Sequence, residues 1–335
     1  MKRMQIVAAL GIVMGLIATS AWADFNRERT MTLEPGGSFV LESDIGDVTL
    51  TGGSAPGARV VITSDEDLDR YYNFTFDETA GGVRVTIKGR GGMRRWFGGW
   101  FENTHTRITV TVPTRTDVRL NTSGGSIRAS RVDGTVNVHS SGGSLDLDGI
   151  GGTVDATTSG GGIRMRTVRG DVVANTSGGS ITIADVRGAL RAHTSGGGIA
   201  INDVGGDLRA STSGGSVDVR GAGGRVEASS SGGGVTVRFA PGNSRGGVVS
   251  SSGGSVRTEL DAGAKVSIDA SSSGGSVRSD LPVTIQGKVE QDSLRGDMNG
   301  GGPLLRLRSS GGGVRISAVR AADAQGQRAI GKGQK

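Results

Sequence analysis

The chain has 335 residues, 62 glycines, 6 prolines, no cysteine, 4% aromatic residues and a formal net charge of +6. Glycine without a strict three-residue period excludes collagen. The missing cysteines exclude disulfides and a lipid-modified cysteine, and a basic excess scattered along the chain, with no dense Lys/Arg block, gives no nucleic-acid footprint.

In chain order, Lys2 and Arg3 precede an apolar run over residues 6–17, and Ala21-Trp22-Ala23 follows. A basic start, a short apolar core and small residues at the cleavage positions describe a secretory signal peptide over residues 1–23. The run falls short of the roughly 20 residues a spanning helix needs. The mature chain is expected to begin at Asp24 and to be exported to the periplasm or cell surface.

Residues 24–116 read as an N-terminal β cap and the start of a solenoid. The stretch FVLESDIGDVTL from Phe39 is strand, turn at Gly46, strand, and residues 59–63, 71–76, 83–88 and 106–112 read as further strands. Between the last two lies GRGGMRRWFGGWFEN, with Arg94, Arg95, Trp96, Phe97, Trp100 and Phe101 in a glycine-flanked insertion. Tryptophan beside arginine suits a loop that enters a membrane interface or stacks on sugar rings. The same rings could instead fold over the open N-terminal end as an apolar plug.

Residues 117–320 carry the dominant pattern. Ser-Gly-Gly begins at Ser123, Ser141, Ser159, Ser177, Ser195, Ser213 and Ser231, in steps of 18, then at Ser252 and Ser273 in steps of 21, and at Ser310 after a step of 37. A fixed period marks units that bury their apolar faces only against their neighbours. Within one unit Val136 and Val138 alternate with polar residues, and so do Leu145 and Leu147, as half-buried strands do. Stepping by 18 gives four apolar columns headed by Val118, Leu120, Ile127 and Ala129. A fifth column, Val132, Ile150, Val168, Val186, Val204, Ala222 and Ala240, lies beyond them, and none of the five admits a charge. The turn glycines Gly134, Gly152, Gly170, Gly188, Gly206 and Gly224 are also 18 apart, which predicts a positive φ there. The residue before each SGG is Thr or Ser, on the inward side by alternation, where stacked hydroxyls could satisfy one another and the turn amides.

These features specify an all-β, single-stranded parallel β-solenoid (β-helix or β-roll) with 18-residue coils and a capped N-terminal β region. Its coil is a two-sided roll, or a three-sided prism if the fifth column belongs to a third strand. The last coil is interrupted by an excursion over residues 282–303. Residues 321–335, nearly free of apolar side chains, form a disordered tail.

The opening SFVLESDIGDVTLTG, the strand ending in proline before the repeats (ITVTVPTRTDVRLNTSGGSIRAS), the SGG-marked coils and the finish LRGDMNGGGPLLRLRSSGGGVRI resemble the bacterial β-helix family of unknown function labelled "putative adhesin", over residues 29–318. The resemblance implies a solenoid fold and an adhesin-like role, and it carries no catalytic residues.

No cofactor, metal site or catalytic set is expected. A calcium-binding roll needs a carboxylate ladder after its glycine pair, whereas Ser126, Ser144, Gly162, Ser180 and Gly198 follow it here. His139 and His193 share a column three coils apart, too far for one metal. Two RGD triplets, Arg169-Gly170-Asp171 and Arg295-Gly296-Asp297, read as chance matches to an integrin-type ligand, since Gly170 belongs to the turn-glycine ladder. Outward columns rich in charge disfavour an ice-binding face. The expected role is a non-enzymatic structural or interaction module at the bacterial envelope, with the envelope surface, polysaccharide or another envelope protein as partner. The alternative is a β-helix enzyme acting on polysaccharide, with Asp146, Asp148, Asp155, Asp171, Asp185, Asp203, Asp207 and Asp218 as its pool of acids.

Overall fold

The computed structural model describes residues 25–79, 81–90, 105–285 and 290–319. The signal-peptide segment, the tryptophan insertion with Arg94, Arg95, Trp96, Phe97, Trp100 and Phe101, and the C-terminal tail lie outside these residues.

The alternating segments form strands β1 (Phe25–Met31), β2 (Ser38–Ser43), β3 (Asp47–Gly53), β4 (Ala58–Ser64), β5 (Tyr72–Thr79), β6 (Gly82–Gly89) and β7 (Arg107–Pro113). The regular run opens with β8 (Asp117–Thr122) and β9 (Ile127–Val132). It continues pair by pair from β10 (Val136–Ser140) and β11 (Leu145–Ile150) to β20 (Val226–Ser230) and β21 (Val235–Phe239). Then come β22 (Gly247–Ser251), β23 (Val256–Leu260), β24 (Val266–Ser272), β25 (Val277–Ser279), β26 (Thr284–Ile285), β27 (Ser293–Met298), β28 (Leu304–Ser309) and β29 (Val314–Ala318). A 3₁₀ turn covers Leu68–Arg70, and among the described residues no helix is long and apolar enough to cross a membrane.

Even-numbered strands of the run join a 15-stranded sheet and odd-numbered ones a 14-stranded sheet. Neighbouring coils pair in parallel and in register, so Val118, Val136 and Val154 lie side by side, as do Ile127, Leu145 and Ile163. The two inner faces enclose one apolar core that runs the length of the stack. The coil is therefore two-sided. The fifth column sits on the end of the odd-numbered strands rather than on a third one.

A left-handed residue explains that column. Arg131, Thr167, Asp185 and Asp203 have φ of 57°, 53°, 58° and 54°, and Gly149 and Gly221 occupy the same position at 67° and 71°. Such a residue resets the in–out alternation of a strand, so two successive residues face outward and the next, Val132 or Val168, turns back into the core. In β21 this device is missing. The register shifts, and Phe239 rather than Ala240 fills the column opposite the small Ala222.

The expected positive φ at the turn glycines does not occur. Gly152 is needed for proximity instead: a Cβ there would lie 2.4 Å from the Gly134 carbonyl oxygen of the preceding coil. The buried hydroxyls do not bond one another either. Thr194 Oγ1 donates to the carbonyl of Gly179 in the preceding coil (2.8 Å) and accepts the N–H of Gly197 in its own (3.3 Å). Ser140, Thr176, Thr212, Ser230, Ser251 and Ser309 repeat the arrangement. Among the described residues, Thr258 Oγ1 is the buried side-chain oxygen left without a partner.

Order in space departs from order in sequence at both ends. The β2–β3 coil lies between β6–β7 and β8–β9. The β28–β29 coil inserts between β22–β23 and β24–β25, so the coil of Ser310 is stacked between those of Ser252 and Ser273 rather than after them. Antiparallel strands close the ends: β5, β4 and β1 at one, β27 and β26 at the other.

Candidate functional site

With the core filled by apolar ladders, chemistry is left to the outward columns and the two ends. On the 15-stranded face Arg119, Asn137, Asp155, Val173, Arg191, Arg209 and Glu227 follow one another at one coil spacing, beside Asn121, His139, Thr157, Asn175 and His193. Arg209 pairs with Glu227 at 3.2 Å, and His193 Nδ1 meets Ser211 Oγ at 2.9 Å. A shallow depression of about 230 Å³ lies among Arg119, Asn137, His139 and Asp155. On the 14-stranded face a second depression, of about 280 Å³, is bordered by Arg128, Asp146, Arg164 and the hydroxyls of Ser126, Ser144 and Ser180. It opens where Gly162 interrupts the serine column. Open grooves of this kind present polar groups and charge at intervals, and neither buries a reacting centre.

Several acids, among them the candidates Asp171, Asp207 and Asp218, have structural work. Asp117, Asp171 and Asp207 each accept the backbone N–H of the residue 18 positions on, at 2.7, 2.8 and 2.9 Å, and so tie one coil to the next. Sequence reasoning missed this role, although the 18-residue relation between Asp171, Ala189 and Asp207 is the signal that locates the column. Asp218 pairs with Arg220 at 3.2 Å. Among the described residues no group of three or more His, Asp or Glu side chains could hold a metal ion. Neither RGD triplet is a free loop tip. Asp171 is one of the coil ties, Arg295 pairs with Asp269, and Asp297 accepts from Ser267 Oγ at 2.6 Å.

The two ends concentrate what the ladders exclude. At the N-terminal end, the inward side chains of β1 and β5 interlock. The Phe25 and Phe74 rings stack at 5.5 Å, and the Arg27 guanidinium lies 5.2 Å from the first and 4.5 Å from the second. Arg29 lies 6.0 Å from the Phe76 ring, and Asp69 holds Arg27 with two bonds of 2.8 and 2.9 Å. The described residues that flank the tryptophan insertion close β6 and open β7, on the side where the repeat coils carry SGG. Its flanks are fixed: Arg90 donates to the Asn73 side chain (2.8 Å), and the His105 N–H donates to Asp65 (3.0 Å).

At the C-terminal end, Asp269 on β24 stands among three arginines. Arg308 reaches Oδ2 at 2.7 Å and Oδ1 at 3.2 Å, and Arg295 and Arg306 approach through Nε at 3.4 Å. Partial burial works to raise the Asp269 pKa, but the hydrogen bonds and charges of Arg308 and Arg295 outweigh it and hold the carboxyl below the usual aspartate value.

The Toastrack DUF4097 family model matches residues 38–317, which spans the β2–β3 coil through the inserted β29. The chain belongs to this family. No curated protein is similar to it. Among solved structures, this Toastrack chain is similar to a "putative adhesin" from Parabacteroides merdae, with 12% identity, TM-score 0.42, 89% of this chain covered and 98% of that one. A "putative adhesin" from Parabacteroides distasonis gives 12%, 0.41, 88% and 97%. A "putative lipid binding protein" from the same species gives 14%, 0.33, 88% and 96%.

Proposed function

We propose that this Toastrack protein is an exported, non-enzymatic interaction module of the bacterial envelope, which binds through repeated polar groups on its rigid outer faces. The observation that carries the reading is the assignment of side chains. The apolar columns are spent on the core, and Asp117, Asp171 and Asp207 on tying coils together. What remains for recognition is a regular outward array one coil apart, which suits many weak contacts with a repetitive partner such as an envelope polysaccharide. The signal-peptide pattern before Asp24 supports export, and the adhesin label of the structural relatives is compatible with a surface role.

The Arg94–Phe101 insertion is proposed as the anchor of this array. The interlocked aromatics of β1 and β5 already cover the end coil, which reduces the need for a plug. The test is retention of the purified mature chain on isolated envelopes, alongside the Trp96→Ala/Trp100→Ala variant. The anchor reading expects retention to fall about tenfold or more with an unchanged unfolding midpoint, since losing two interfacial rings weakens contact by a kcal/mol or more. A sharp fall in the midpoint with retention unchanged assigns the rings to the plug and overturns the anchor.

A further inference from the structure

We propose that the arginine cluster around Asp269 is an anion site that takes a phosphate group between the guanidiniums of Arg295 and Arg306. The assignment rests on the geometry of the C-terminal cap and not on the export reading.

Strand β24 lies between β27 and β28, and the register sets Asp269 opposite Arg295 on one side and Arg306 on the other. Arg308 sits two residues along β28, beside Ser271. Three guanidiniums therefore converge on one carboxylate. Ion pairs such as Arg315–Asp280, Arg59–Glu28 and Arg84–Glu42 instead set one arginine against one carboxylate. A purely structural cap would need only that matching. Three cations on one anion repel one another unless a further anion joins them. Asp297, the other carboxylate on β27, stands two residues from Arg295, opposite Ser267, and accepts from the Ser267 hydroxyl.

The three arginines are committed unequally. Arg308 uses its terminal nitrogens on Asp269 and on Ser271 Oγ (2.9 Å), and is fixed in place. Arg295 and Arg306 contact Asp269 through Nε alone, so their terminal nitrogens have no partner among the described residues. The carboxylate lies beneath, with its side chain 17% exposed, and the two arginines rise over it at 75% and 47%. Their strands straddle β24, so the backbones stand about 10 Å apart, a span two long side chains close around one small anion. Guanidinium forks match phosphate oxygens bidentately, and the anchoring carboxylate lowers the entropy lost on binding. A phosphate dianion also balances the surplus of two charges, which a single carboxylate does not. The phosphate could belong to a lipid headgroup or to a soluble or polysaccharide-linked phosphate.

The test titrates inorganic phosphate into the mature chain by calorimetry, with the Arg295→Gln/Arg306→Gln variant and a control, Arg59→Gln/Arg70→Gln, at the other end of the stack. Saturable binding tighter than about 1 mM, weakened about tenfold or more in the first variant and unchanged in the control, is expected. If the glutamine variant loses its fold, Arg295→Lys/Arg306→Lys keeps the charge while removing the forks, and weakened binding is again expected. Phosphatidylglycerol vesicles, with phosphatidylcholine as reference, separate the sources. Phosphate binding with vesicle capture assigns a headgroup, and phosphate binding without it assigns a soluble or polysaccharide phosphate. Absence of saturable phosphate binding, or equal binding by wild type and both cluster variants, overturns the proposal.

Discussion

At the scale of single residues, the two glycines of one SGG do different things. A Cβ on Gly161 would lie 2.2 Å from the Gly143 carbonyl oxygen of the preceding coil, whereas on Gly160 its nearest neighbour would be 3.2 Å away. Neither glycine has a positive φ. Gly161→Ala is therefore expected to cost about 1–3 kcal/mol by forcing coils apart, and Gly160→Ala about 0.5 kcal/mol or less. Equal unfolding midpoints for the two variants would show that coil contact is not what selects the second glycine. The spacing of these glycines was legible in the sequence, but their cause was not. Glycine serves a left-handed backbone and a close approach alike, and only the distance to the next coil tells them apart. The converse holds at Arg131, Thr167, Asp185 and Asp203, whose left-handed backbone the sequence hides behind four ordinary side chains.

At the scale of elements, the apolar alternation predicted strands that the structure shows almost residue for residue, as at Gly82–Gly89 and Arg107–Pro113. Stacking order at the ends was not legible. All SGG coils have the same apolar columns, so β28–β29 fits beside β22–β23 as well as β24–β25 does, and periodicity alone cannot say which arrives there. The Asp269 cluster escaped notice for the same reason: its members lie far apart in sequence and meet only through that insertion. Because the carboxyl of Asp269 is held below its unfolded value of about 3.9, its contribution is present above that pH and is lost as pH falls through the lower folded value. The facing groups are Arg295, Arg306 and Arg308, which stay charged throughout. The unfolding midpoint of the wild type should drop as pH falls below about 4. Asp269→Asn should start lower at neutral pH and lose that part of the slope. An unchanged slope in the variant would remove Asp269 from the account of the cap.

At the scale of the molecule, a two-sheet stack with a continuous core is a stiff object whose outer faces repeat. Repetition favours a partner that also repeats, and affinity then grows with the number of simultaneous contacts rather than with the depth of any one groove. Within the regular run, contacts span one coil of sequence, so neighbouring coils fold against one another, and the caps limit further growth at the ends. The sequence showed this scaffold through its ladders, and it showed the polar array only as the remainder. The most direct test incubates the purified mature chain with isolated envelopes and with an anionic polysaccharide, and measures bound protein and released soluble saccharide together. Saturable retention with no released saccharide is predicted. Release of oligosaccharide that rises with time and protein would contradict the account and make the molecule an enzyme.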